Sequence, residues 1–95
     1  MAAYVIAEFT VGDSTWVETY ASLATQATLE HGGEYLARGV VPETLEGSFD
    51  PDERLAILRF PDVDAARAWY SSETYSKALA ATGGALRRRL FIVET

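Results

Sequence analysis

One histidine occurs in the chain, His31, inside the stretch ATLEHGGEYLARG at residues 27–39. An imidazole with an ordinary pKa near ~6.5 takes or gives a proton at neutral pH, which makes His31 the candidate catalytic acid or base. Arg38, near it in sequence, supplies a cation able to hold the carboxylate of a small acid. The same stretch has a second interpretation. A histidine followed by two glycines stands where a helix ends, and there its ring interacts favourably with the exposed carbonyls and the helix dipole.

Glu8, Arg38, Arg54 and Arg59 form the other charged group of interest. If Glu8 and Arg59 both face the open side of a sheet, they become charges inside an assembly. Buried charges must be paired or face a wet cavity, because an isolated one costs too much. They therefore predict a structural ion pair across strands, or a polar cavity in which an arginine grips an acid. Trp69, Tyr70 and Tyr75 are an aromatic cluster. They either fill the core, or Trp69 and Tyr75 wall a pocket with Tyr75 donating a hydrogen bond.

Other chemistries are disfavoured by composition. With one histidine and no cysteine, the chain cannot build a two-histidine triad, a three-histidine zinc site, a disulfide or a thiolate nucleophile. No metal and no cofactor are expected. ATGGAL, residues 81–86, lies between a helix end and a strand, the reverse of a phosphate-binding glycine loop. Arg87, Arg88 and Arg89 alternate sides on a strand and so make no continuous basic patch; charge on an edge strand guards against aggregation.

The elements that must carry these residues are legible from periodicity. AYVIAEFTV alternates, with Val5, Ala7, Phe9 and Val11 on one side and Tyr4, Ile6, Glu8 and Thr10 on the other. Asp13 is a plausible N-cap for an amphipathic helix over 14–31, in which Trp16, Tyr20, Leu23, Ala24 and Ala27 share a face, and Gly32 or Gly33 ends it. EYLARGVV is a strand with Pro42 marking an edge or a bulge, and RLAILRF is a buried strand. Asp62 caps a helix through VDAARAWY, which restarts at Ser71–Ser72 and runs to about Ala81; RRRLFIVE is the last strand. The order β-α-β-β-α-β is that of the α+β ferredoxin-like fold, a four-stranded antiparallel sheet with helices on one face.

Ninety-five residues, 48% hydrophobic and 23% charged, make one globular domain spanning 1–95. A formal charge of −6 repels phosphate backbones and anionic lipids, so neither nucleic acid nor a membrane surface is an expected partner. The opening MAAYVIAEF reads as a strand, not a secretion signal, and a cytoplasmic protein is expected. The sheet face away from the helices is expected to show Tyr4, Ile6, Leu55, Ile57, Leu90 and Ile92. A few hundred Å² of bare apolar surface would forgo several kcal/mol at roughly 25 cal/mol per Å². A second copy packed sheet to sheet, a homodimer, is the simplest cover.

AYVIAE, Asp13, Tyr20, HGG, ARG ending at Gly39, LEG at 45–47, Pro51, Arg54, FP at 60–61, AARAWY, Ser72, Tyr75 and VE at 93–94 recur in this order and spacing in a known family. The chain resembles, over nearly its whole length, the small bacterial proteins of domain-of-unknown-function family 1330. The resemblance implies a dimeric α/β barrel, in which two ferredoxin-like subunits pack sheet to sheet. It departs from the family pattern at Glu73, where a proline is usual, and at Thr82, where an arginine is common. The wider superfamily is similar to cofactor-free monooxygenases, haem enzymes and lactone isomerases.

Two functions are expected from these residues. In one, a small-ligand protein acts as a cofactor-free monooxygenase or isomerase on a small organic acid or phenol. His31 would accept the proton, Arg38 or Arg59 clamp the anion, Trp69 and Tyr75 form the wall, and Glu8 share the polar site. In the other, the chain is a non-catalytic homodimeric binding or assembly module.

Overall fold

Alternation along AYVIAEFTV produces β1, Ala3–Val11, a central strand with its odd-numbered residues turned toward the helices. The structure, a computed structural model, describes residues 1–12 and 14–95. The expected N-cap Asp13 lies outside the described residues. Helix α1 runs Val17–Glu30, three residues later than periodicity suggests, because residues 14–16 close as a turn with the Val17 N–H donating to the Ser14 carbonyl at 3.2 Å. That turn buries the Trp16 ring.

The end of α1 is a Schellman motif. The Gly33 N–H donates to Thr28 O at 2.9 Å and the Gly32 N–H to Leu29 O at 3.2 Å, with Gly32 at φ 71°. Gly33 answers a different need: a Cβ there would stand 2.5 Å from the Phe60 ring. The chain then enters β2, Glu34–Val40, and β3, Glu53–Phe60. Asp62 accepts from the Ala65 N–H at 2.7 Å to start α2, Val63–Tyr70. Ser72 does the same for Tyr75 at 3.1 Å to start α3, Glu73–Ala81, and β4, Leu86–Glu94, closes the sheet.

The sheet is antiparallel in the order β2-β3-β1-β4, so β1 and β3 are central and the fold is ferredoxin-like. The helices cover one face. Val5, Ala56, Leu58 and Phe60 from the sheet pack there against Ala24, Ala27, Ala66, Trp69, Tyr75 and Ala78. Among the described residues, no helix is long and apolar enough to cross a membrane.

The register corrects the expected composition of the bare face. Val5 lies opposite Ile92 and Ala7 opposite Leu90, so both β4 residues share the helix-covered face. Phe91 and Val93 take their places, opposite Ile6 and Tyr4, and remain 47% and 46% exposed. Residues 90–93 are apolar in both parities, so alternation within this strand cannot choose between them. Pairing with β1 does. The bare face therefore carries Tyr4, Ile6, Leu55, Ile57, Phe91 and Val93.

Candidate ligand cavity

Directly opposite residues in an antiparallel pair project to the same face. Phe9 is opposite Arg54 on β3 and opposite Arg88 on β4, which lays an Arg–Phe–Arg row across the helix face of the sheet. Arg88 stands there because it alternates with Arg87 and Arg89, which face the other way.

Arg38 reaches the same side through an irregularity. Tyr35 pairs with Leu58 and Ala37 with Ile57, so β2 spends two residues where β3 spends one. Without that bulge Tyr35 and Arg38, three residues apart, would project to opposite faces. With it both meet α1. The Arg38 guanidinium lies 4.1 Å from the Tyr35 ring centroid and donates to Thr25 Oγ1 at 2.7 Å and to the Ala21 carbonyl at 2.9 Å.

Between this face and the helices is a cavity of about 290 Å³. Ala7, Phe9, Ala56, Leu58 and Leu90 line it from the sheet, Trp16, Tyr20 and Ala21 from the α1 side, and Trp69 and Tyr75 from α2 and α3. The aromatic rings are in mutual contact: Trp69 and Tyr75 have centroids 4.4 Å apart, Trp16 and Tyr20 5.8 Å. Its volume suits a ligand of about one ring, near the lower limit for small-molecule sites.

The polar groups of the wall are donors. Arg38, Arg54 and Arg88 all line it, and no aspartate or glutamate does among the described residues. Arg54 spends its Nη1 on the Pro51 and Glu53 carbonyls, at 3.3 and 2.9 Å. Arg88 Nη1 donates to the Tyr75 hydroxyl, and Tyr75 and Tyr20 hydroxyls are 3.1 Å apart. Burial, with a smaller contribution from Tyr20, pushes the Tyr75 phenol far above the ordinary tyrosine range, against the opposing pull of Arg88. Tyr75 therefore stays a neutral phenol at physiological pH and accepts from Arg88. Burial also raises Tyr35. The Nε1 atoms of Trp16 and Trp69 are buried and have no hydrogen-bond partner among the described residues.

Of the residues singled out in the sequence, Arg38, Arg54, Trp69 and Tyr75 come together at this cavity. His31, Arg59 and Glu8 do not. His31 is the C-cap of α1, its Nδ1 2.8 Å from the Ala27 carbonyl. It stands ten residues beyond Ala21, roughly 15 Å along the helix axis. Arg59 and Glu8 are on the bare face, as their parity suggests, but they are not partners of each other. Arg59 is 3.6 Å from Glu34, and Glu8 is 3.1 Å from Arg89. Tyr20 and Arg88 belong to the site and were not singled out. The alternation of the arginine run was the one signal for Arg88, while nothing local joins Tyr20 to Tyr75, 55 residues away. Among the described residues no group of three histidine, aspartate or glutamate side chains converges as a metal site would require.

A family match spans residues 2–95. The chain belongs to the family described as a domain of unknown function, DUF1330. No curated protein matches it. Among solved structures, a dimeric ferredoxin-like protein of unknown function from Jannaschia sp. CCS1 superposes with a TM-score of 0.73 at 15% identity, over 100% of both chains. A dimeric ferredoxin-like protein of unknown function from Thermobifida fusca YX gives 0.68 at 17%, covering 100% of this chain and 92% of that one. SnoaB, a cofactor-independent oxygenase from Streptomyces nogalater, gives 0.65 at 18%, covering 99% of this chain and 92% of its own. At these identities the likeness is one of fold.

Proposed function

We propose that this DUF1330 protein binds a small aromatic acid or phenol, in its ionised form, in the cavity between helices and sheet. The distribution of cations carries this reading. Of the eight lysine and arginine residues, Arg59, Arg67, Lys77 and Arg89 pair with carboxylates. Arg38, Arg54 and Arg88, which line the cavity, pair with none among the described residues, and neither does Arg87, opposite Thr10 on the bare face. In a chain of net charge −6, a cleft with three arginines and aromatic walls focuses positive potential where an anionic ring fits. Arg38 and Arg54 clamp the acid group, Trp69 and Tyr75 pack the ring, and His31 serves as the end of α1.

The protein works as a homodimer joined through the bare sheet face. Tyr4, Ile6, Leu55, Ile57, Phe91 and Val93 make that face too apolar for water. Its like in fold are two ferredoxin-like proteins described as dimeric.

An ionised phenol is electron-rich, and cations that stabilise it are what a cofactor-free oxygenase asks of its protein. The fold likeness to SnoaB supports such turnover. One observation favours binding without catalysis: among the described residues no histidine or carboxylate lines the cavity to take a proton. The deciding experiment is calorimetric titration of aromatic acids and phenols into wild type and Arg38→Gln/Arg54→Gln, with oxygen uptake followed for every ligand that binds. Binding to wild type that falls about tenfold or more in the variant is expected. Equal binding to both proteins, or none to either, removes the proposal; oxygen consumption separates enzyme from binding module.

A further inference from the structure

The two ends of the cavity offer different donors, and the ligand-binding reading above can be sharpened from that difference. At the β2–β3 end stand Arg38 and Arg54, whose hydrogen bonds all go to neutral oxygens. At the β4 end stands a hydroxyl pair. Arg88 can only donate, so the Tyr75 oxygen is its acceptor. Tyr20 and Tyr75 carry one hydroxyl proton each, and only one of these can lie in the 3.1 Å bond between their oxygens. The other proton has no protein acceptor among the described residues, and both side chains line the cavity.

Spacing sets the distance between the ends. Neighbouring strands lie ~4.8 Å apart, so Arg54 and Arg88, each opposite Phe9, are about 10 Å apart at their Cα atoms. Arg38, on the far edge strand and about level with Ala56, is more than about 14 Å from Arg88 by the same spacing. Arginine side chains reaching inward from both ends leave room for one ring over Phe9.

We infer that the ligand is a planar aromatic molecule with oxygen at both ends. Its ionised acid lies toward Arg38 and Arg54, and a second oxygen, phenolic or carbonyl, accepts the spare proton of the Tyr20–Tyr75 pair beside Arg88. Benzoate, phenol and the three hydroxybenzoate isomers test this by calorimetric titration of the wild-type protein. At least one hydroxybenzoate is expected to bind about tenfold tighter than both benzoate and phenol. In Tyr20→Phe/Tyr75→Phe the advantage of hydroxybenzoate over benzoate vanishes, with far-UV circular dichroism reporting an intact fold. In Arg54→Gln the acids weaken and phenol does not.

If benzoate binds and no hydroxybenzoate binds more tightly, the two-ended ligand is wrong and the anion cavity stands. If none of the compounds binds, both fall. A hydroxyl advantage that survives in the double variant overturns the role of the tyrosine pair. Should that variant fail to fold, the ligand comparison on the wild-type protein still decides for or against two ends.

Discussion

On the bare face of the sheet Arg59 meets Glu34 at 3.6 Å and Arg89 meets Glu8 at 3.1 Å; on the helix face Arg54 and Arg88 meet no carboxylate among the described residues. The strands are the same and only the parity differs. Pairs such as those on the bare face are worth little to stability while solvated. In the proposed dimer a second sheet would pack over these two pairs without stranding their charges. The helix face has the reverse arrangement, with positive charge left unbalanced against aromatic walls. In the proposed function the first face meets a copy of the protein and the second a small anion.

The largest effect should come from spoiling the bare face at its centre. Ile57→Glu, on β3 opposite Ile6, is expected to halve the sedimenting mass at micromolar protein while far-UV circular dichroism is retained. A wild-type protein that already sediments as a single chain would end the homodimer reading.

The next contrast is between two arginines of the same strand. Arg54→Gln should weaken binding of an aromatic acid about tenfold or more, and Arg59→Gln by less than about twofold. Equal losses would mean that the faces are not functionally distinct.

Tyr75→Phe gives a smaller effect, about 1 kcal/mol in urea unfolding, since it removes one hydrogen-bonded hydroxyl. The pH dependence has a definite sign. The folded Tyr75 phenol titrates above its unfolded value, so the unfolded chain loses its proton first. Stability on this account is full below the ordinary tyrosine range near ~10 and declines as pH rises beyond it. Tyr35 acts in the same direction. The melting temperature of wild type should thus fall more steeply above that range than that of Tyr75→Phe. Parallel curves would show that Tyr75 is not the group held protonated.

Smallest of all, Arg89→Gln breaks an ion pair with a largely exposed arginine and should cost under ~1 kcal/mol by urea unfolding. A loss of several kcal/mol would place that pair in a buried interface already formed in solution.

Much of this architecture was readable residue by residue. Asp62 caps the helix it was expected to cap, the helix restarts at Ser72 within the expected Ser71–Ser72, and the alternation of β1 sorted its side chains onto the correct faces. HGG ended α1, with Gly32 taking the positive φ that the stop requires and Gly33 making room for Phe60. The site was legible in part. Trp69, Tyr75, Arg38 and Arg54 were chosen by type, but their company was not: Arg88 and Tyr20 entered through contacts with Tyr75 that no local spacing announces.

Periodicity and capping are short-range, governed by sterics and hydrogen bonds among residues a few positions apart, so the chain alone determined the element order and the parity of β1. Register, bulges and which helix lies over which strand depend on pairings between distant segments. Those decided that Leu90 and Ile92 turn inward, that Arg38 joins Tyr35 against α1, that Glu8 meets Arg89 and not Arg59, and that the cavity lies away from His31.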